Sequence, residues 1–86
     1  MYKENIVMQY EFGFQARPAS NFVRKASKFE SDIRVLMDGQ AYNAKSIMGI
    51  LSMGAAKGDL LTIQAIGKDA YLAVKTLIDT MCIQDV

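Results

Sequence analysis

Ser31-Asp32-Ile33-Arg34-Val35-Leu36-Met37-Asp38-Gly39-Gln40-Ala41-Tyr42-Asn43-Ala44 is the stretch on which the fold turns. In an extended chain Ile33, Val35 and Met37 share one side, the period-two pattern of a half-buried strand from Ser31 to Met37. Asp38-Gly39 then supplies the dipeptide best suited to a two-residue type I′ turn, and Gln40 to Ala44 should pair back as a short strand. A hairpin therefore sits near the middle of the chain.

Working outward toward the first residue, Tyr2 to Tyr10 alternate as well, with Ile6, Met8 and Tyr10 opposite Lys3, Asn5 and Gln9. That is a second half-buried strand. Glu11 to Gly13 break the alternation. Pro18, tolerated in the first turn of a helix, then introduces Ala19, Phe22, Val23, Ala26 and Phe29 at helical spacing, and an amphipathic helix is expected.

Beyond the hairpin, Ser46 is a favoured N-cap and Gly54 a favoured residue just past a helix end. Between them Ile47, Met48, Ile50, Leu51 and Met53 predict a short, very apolar helix. These five cannot all point inward, because one helix face covers only part of the circumference. Gly58-Asp59 punctuate the chain before Leu60 to Ile66, which reads as a strand with both faces at least partly covered and central in the sheet. Asp69 is the expected N-cap of a last helix with Ala70, Ala73, Val74, Leu77 and Met81 as its buried stripe.

The order β-α-β-β-α-β-α, with a central hairpin, predicts a two-layer α+β sandwich over an antiparallel sheet. The pattern alone leaves the strand order open. The 86 residues suffice for one domain, residues 1–86, with one hydrophobic core.

Charge and composition narrow the functional classes. Ten basic and nine acidic residues leave a formal net charge of +1, too little for the positive field that direct nucleic-acid binding or an anionic membrane requires. Apolar stretches fall far short of the roughly 20 residues of a membrane-spanning helix. Cys82 is the only cysteine, and no basic, apolar-centred leader precedes the first strand, so a soluble protein of the reducing cytoplasm is expected. Cys82 reads as a partly buried small hydrophobe near the end of the last helix. Nothing in the pattern points to a metal site or a cofactor, and no enzymatic activity is expected.

Two segments carry a family resemblance: Gly13-Phe14-Gln15-Ala16-Arg17-Pro18-Ala19 and Asn43-Ala44-Lys45-Ser46-Ile47-Met48-Gly49-Ile50-Leu51-Ser52. In their order and over essentially the whole chain they resemble the HPr family, the phosphocarriers of the bacterial sugar phosphotransferase system. Gln15 stands where the carriers have a phosphoryl-accepting histidine, which makes the chain most similar to the Crh, or catabolite-repression, branch. The departure is chemical. Imidazole offers a free nitrogen lone pair, whereas the Gln amide nitrogen has lost its own to resonance with the carbonyl, and the sequence contains no histidine at all.

The resemblance implies an HPr-like open-faced β-sandwich with a four-stranded antiparallel sheet in the order 1-4-2-3 and three helices on one face. It implies that Ser46, by itself readable as a plain helix cap, is phosphorylated by an HPr kinase/phosphorylase. The phosphorylated form then serves as corepressor of a LacI-type catabolite control regulator. By the same resemblance Arg17 lies beside both phosphorylation positions and contacts partners. Ile47, Met48 and Leu51 face the partner, leaving Ile50 and Met53 for the core. Arg17 is also out of place electrostatically, since a helix N-terminus disfavours cations. Gln15 is either a neutral relic or a hydrogen-bonding contact to a partner. Lys45 reads as a solvated charge, with steadying of the added phosphate as its functional alternative. Exchange of the first strand about Glu11-Phe12-Gly13 would give a swapped homodimer. Two alternatives stay open on the residues: a phosphocarrier of the sugar system working through another residue, and a phosphorylation-independent regulator that docks the short apolar helix on a metabolic enzyme.

Overall fold

Asp38 and Gly39 adopt φ of 51° and 80°, the positive values a type I′ turn demands of both central residues. They join β2 (Asp32–Met37) to β3 (Gln40–Asn43), with Met37 opposite Gln40 and Arg34 opposite Asn43. The computed structural model describes residues 1–82, and around this hairpin it places β1 (Tyr2–Val7), α1 (Ala16–Ala26), α2 (Ile47–Ser52), β4 (Leu60–Ile66) and α3 (Ala70–Cys82). The element order is the expected one. All strand pairs are antiparallel and the sheet runs β1-β4-β2-β3, with three helices completing an open-faced sandwich.

β4 is central, as read from the sequence, and its two faces differ. Leu61, Ile63 and Ala65 are buried, while on the other face Thr62 and Gln64 are half-buried and Leu60 and Ile66 exposed. Partial cover of that second face holds only in the middle of the strand, because the helices leave that side of the sheet open. β1 is also shorter than its alternation. Val7 pairs with Leu60, the first residue of β4, so the regular ladder ends there. The alternation nonetheless continues to Tyr10: Met8 and Tyr10 are buried, and Met8 exchanges backbone bonds with the turn ahead of β4, donating to Asp59 O at 2.8 Å and accepting from Gly58 N at 3.1 Å.

Phe22, Ile33, Val35, Ile50, Leu61, Ile63, Val74, Leu77 and Met81 are fully buried and form the centre of the core. Each such side chain contributes about 1.5–3 kcal/mol relative to exposure. Phe29, read as part of the first helix, lies beyond its end; α1 stops at Ala26, and Ser27 Oγ donates to Val23 O at 2.8 Å. Phe29 still packs against the core from the connection.

Asp69 holds the cap position by its backbone, its carbonyl accepting from Ala73 N at 2.8 Å. Its carboxylate does something the sequence did not reveal. It accepts from Glu30 N at 2.9 Å, from Ser31 N at 3.0 Å and from the Ser31 hydroxyl, fastening the α1–β2 connection to the start of α3. These donors, the Ser31 hydroxyl foremost, hold its pKa below the usual carboxylate value. With its N–H taken, Ser31 is not in the ladder, and β2 begins at Asp32.

A second tie joins the free edge of the sheet to α3. Lys75 Nζ lies 2.5 Å from Glu4 Oε2, which also accepts from the Tyr2 hydroxyl at 2.5 Å, and the Tyr2 and Tyr71 rings meet edge to face at 4.8 Å. None of the described helices is long and apolar enough to cross a membrane.

Candidate functional site

Two helix starts carry the residues singled out by sequence, and the helices they open, α1 and α2, pack against each other. At the first, Gln15 is the N-cap of α1 in extended conformation, φ −88° and ψ 177°, exposed and with no hydrogen bond from its side chain to the helix. Neighbours hold it in place. Phe14 is buried with its ring edge-on to Tyr10 at 5.6 Å and to Phe22 at 5.1 Å, and Gln15 N donates to Gly13 O at 3.1 Å. Gly13, at φ +68°, sits so close to the segment after α2 that an added Cβ would fall 2.0 Å from Ala55 O. The main chain around Gln15 is thus fixed while its side chain is presented outward. An amide at that point can hydrogen-bond, but it offers no nucleophile.

Arg17 follows in the first turn, exposed, with no acidic residue in that turn and no ion pair among the described residues. Phe12, treated in sequence only as part of a hinge, is an exposed aromatic two residues before the phenylalanine that anchors the loop. Its neighbours Glu11 and Gly13 gave no periodicity by which to place it.

At the second start Ser46 is also extended, φ −113° and ψ 117°, and here the side chain caps: its Oγ accepts from Gly49 N at 3.0 Å. Asn43 sets up the approach, its carbonyl accepting from Ser46 N at 3.1 Å and its side-chain Oδ1 from Lys45 N at 2.9 Å. Ser46 is half-buried at the mouth of a helix of 6 residues. Among the described residues no cluster of three or more potential ligands could hold a metal ion.

The apolar helix divides. Ile50 and Met53 are buried, Met48 is 71% exposed and Leu51 37%, while Ile47 is half-buried and packs on the core margin. Met48 and Leu51 therefore form the outward apolar surface and Ile47 lends only part of its side chain to it. Lys45 departs from the expectation of a solvated charge: its Nζ donates to Phe29 O at 2.6 Å, which ties the ammonium to the connection after α1.

Sheet order and one-sided helices define a small phosphocarrier-type domain. A family model described as the PTS HPr component phosphorylation site matches residues 2–82, and the chain belongs to the HPr family. HPr-C-His from Thermoanaerobacter tengcongensis is 43% identical over 94% of this chain and 91% of that one, with a TM-score of 0.90. The phosphocarrier HPr of Bacillus anthracis is 39% identical over 93% and 95%, TM-score 0.88. The catabolite-repression protein Crh of Bacillus subtilis, whose structure is described as an intertwined, swapped dimer, is 36% identical over 95% and 94%, TM-score 0.77. The family is one of phosphocarriers, and this member has glutamine at position 15 and no histidine anywhere in its sequence.

Proposed function

We propose that this protein is a regulatory HPr-like protein of carbon catabolite repression, its residues 1–86 acting as one domain in the cytoplasm. Ser46 is phosphorylated by HPr kinase/phosphorylase, and the modified form is corepressor of a LacI-type catabolite control regulator without touching DNA itself. The observation that carries the reading is the contrast between the two helix starts: position 15 has no nucleophile, while Ser46 is a half-buried hydroxyl residue beside exposed Met48 and Leu51.

Phosphate would bring ~1.5–2 negative charges to the mouth of α2, where backbone N–H groups can receive it. The exposed thioether and leucine beside it are the adaptable apolar surface on which a partner docks, and Arg17 and Gln15 supply polar contacts from the start of the packed helix α1. Lys45 is near in sequence, but its bond to Phe29 O must break before it can steady the phosphate. A swapped homodimer is a second state of the same chain, supported by the intertwined dimer described for the Bacillus subtilis relative. In the monomer, the Tyr2, Glu4 and Lys75 tie holds the strand to be exchanged.

The test is intact-mass spectrometry after incubation with HPr kinase/phosphorylase and ATP. One added phosphate, located at Ser46 and absent from Ser46→Ala, is the expected result, followed by regulator binding to operator DNA that rises only with the modified protein. Phosphorylation that persists in Ser46→Ala, or equal capture of the regulator by unmodified protein, would overturn the switch.

A further inference from the structure

Of the four phenylalanines, Phe14 and Phe22 are buried and Phe29 packs on the margin of the core. Phe12 does neither. It is 74% exposed, more than any other described aromatic, and among the described residues its ring meets no other ring. Folding therefore gains little from an aromatic here. Gly13 N donates to Tyr10 O at 3.1 Å, which makes Glu11 and Phe12 the central residues of a turn, where small polar types are usual.

The turn is held on both sides. Before it, Tyr10 is buried and its hydroxyl donates to Thr80 O at 3.3 Å. After it, Gly13 is buried with its Cα turned toward Ala55 O, and Phe14 packs edge to face on Tyr10 and Phe22. Phe12 thus combines a fixed backbone with a side chain of few torsions, so covering its ring with another surface costs little conformational entropy.

We propose that Phe12 is an aromatic anchor of the partner interface, its ring received in an apolar pocket of the regulator. The assignment rests on the function proposed above and adds to it a contact that carries no charge and does not depend on phosphate at Ser46. A single side chain projecting from a turn encloses no space for a small molecule, so the occupant is a macromolecule. Glu11, exposed beside Phe12 in the same turn, repels the phosphates of nucleic acid and of an anionic membrane, which leaves a protein. The turn leads into α1 and touches, through Gly13, the segment that leaves α2, so it borders both helices of the proposed docking surface.

The test is surface plasmon resonance of the immobilised LacI-type regulator against the full chain phosphorylated at Ser46. Phe12→Ala should weaken binding about tenfold to a hundredfold, chiefly through faster dissociation, and Phe12→Leu by less. The loss should be the same at low and high salt, which separates an apolar contact from the charged contacts of Arg17 and the phosphoserine. Phe12→Ala should also unfold at the parent's urea midpoint and accept phosphate to the same extent, so neither folding nor the kinase step accounts for the effect. Leu72→Ala, at a position 60% exposed on α3, is the control and should leave affinity unchanged. Unchanged affinity in Phe12→Ala, a loss that disappears at high salt, or an equal loss in Leu72→Ala would overturn the anchor while the functional reading stands. Failure of the phosphorylated parent to bind the regulator would overturn that reading and the anchor with it. A dimer fraction that falls in Phe12→Ala while regulator affinity holds would assign the ring to a second copy of the chain instead.

Discussion

The starts of α1 and α2 share a backbone conformation and differ in what holds it. Gln15 and Ser46 are both extended N-caps, yet only Ser46 bonds its side chain to the helix it opens. α1 is instead fixed from behind, by buried Phe14 and by the close approach of Gly13 to Ala55. Where the main chain does all the positioning, the side chain at the presented point is free to change, and a histidine can be exchanged for glutamine at little structural cost. Where the side chain itself caps, chemistry at that hydroxyl is also chemistry on the helix end. The residue presented at position 15 and the capping hydroxyl at position 46 can thus change independently within a single fold.

The largest effect should come from attacking the support behind α1. Gly13→Ala would place a Cβ 2.0 Å from Ala55 O at a φ of +68°. Strain and steric overlap together should cost about 3 kcal/mol or more, read as a lowered midpoint in urea unfolding. Stability within 0.5 kcal/mol of the parent, an estimate typical of harmless substitutions, would show that the loop gives way easily and that α1 is not held as described.

Next in size is the contrast between the two sides of α2. Ile50→Ala empties a fully buried position and should cost about 2–5 kcal/mol, whereas Met48→Ala, at a position 71% exposed, should change stability by about 0.5 kcal/mol or less. In the proposed function the order reverses in binding: Met48→Ala weakens capture of the regulator by the phosphorylated protein. Loss of stability at Met48 comparable to that at Ile50 would make the outer face structural.

Exchanging the caps sharpens the comparison directly. Ser46→Ala removes the bond to Gly49 N and should destabilise by about 1 kcal/mol. Gln15→Ala removes no cap and should be near neutral, while Gln15→Asp can supply the missing acceptor to the positive end of α1 and should stabilise by up to about 1 kcal/mol. Differential denaturation of the three variants checks the set. A stabilising effect as large from Gln15→Ala as from Gln15→Asp would place the gain outside the cap.

The same contrast separates what could be read in the sequence from what could not. Asp38-Gly39, Ser46 and the alternation in β2 are local signals, each a residue type whose preferred conformation spans a few positions, and each appears where it was read. The carboxylate of Asp69 and the ammonium of Lys45 instead find partners 38 or 39 and 16 residues away, so no window of sequence contains both ends of those bonds. How far each face of β4 is covered was illegible for a related reason. Leu60 and Ile66 are apolar, and only the placement of all helices on the other side decides that they meet solvent.

The smallest effect expected concerns that distant carboxylate. Asp69 has a lower pKa folded than its unfolded value of about 4, chiefly because the Ser31 hydroxyl and the Glu30 and Ser31 N–H groups favour its ionised form. A depressed carboxylate contributes stability that is full above the unfolded pKa and is lost as pH falls through the folded one. Glu4 shifts the same way under Lys75 and the Tyr2 hydroxyl, while the raised Lys75 pKa affects only the alkaline side, where its contribution is lost as pH rises through the folded value. Both carboxylates are reached by solvent, so screening keeps the terms small. Unfolding midpoints should be flat from about pH 5 to 8 as far as these groups are concerned and decline below about pH 4. Asp69→Asn should lower the neutral plateau and make the acid decline shallower, since the amide keeps an acceptor but has no proton to gain. An acid decline as steep in Asp69→Asn as in the parent, with Glu4→Gln flattening it instead, would move the acid sensitivity from the α1–β2 clamp to the β1 edge.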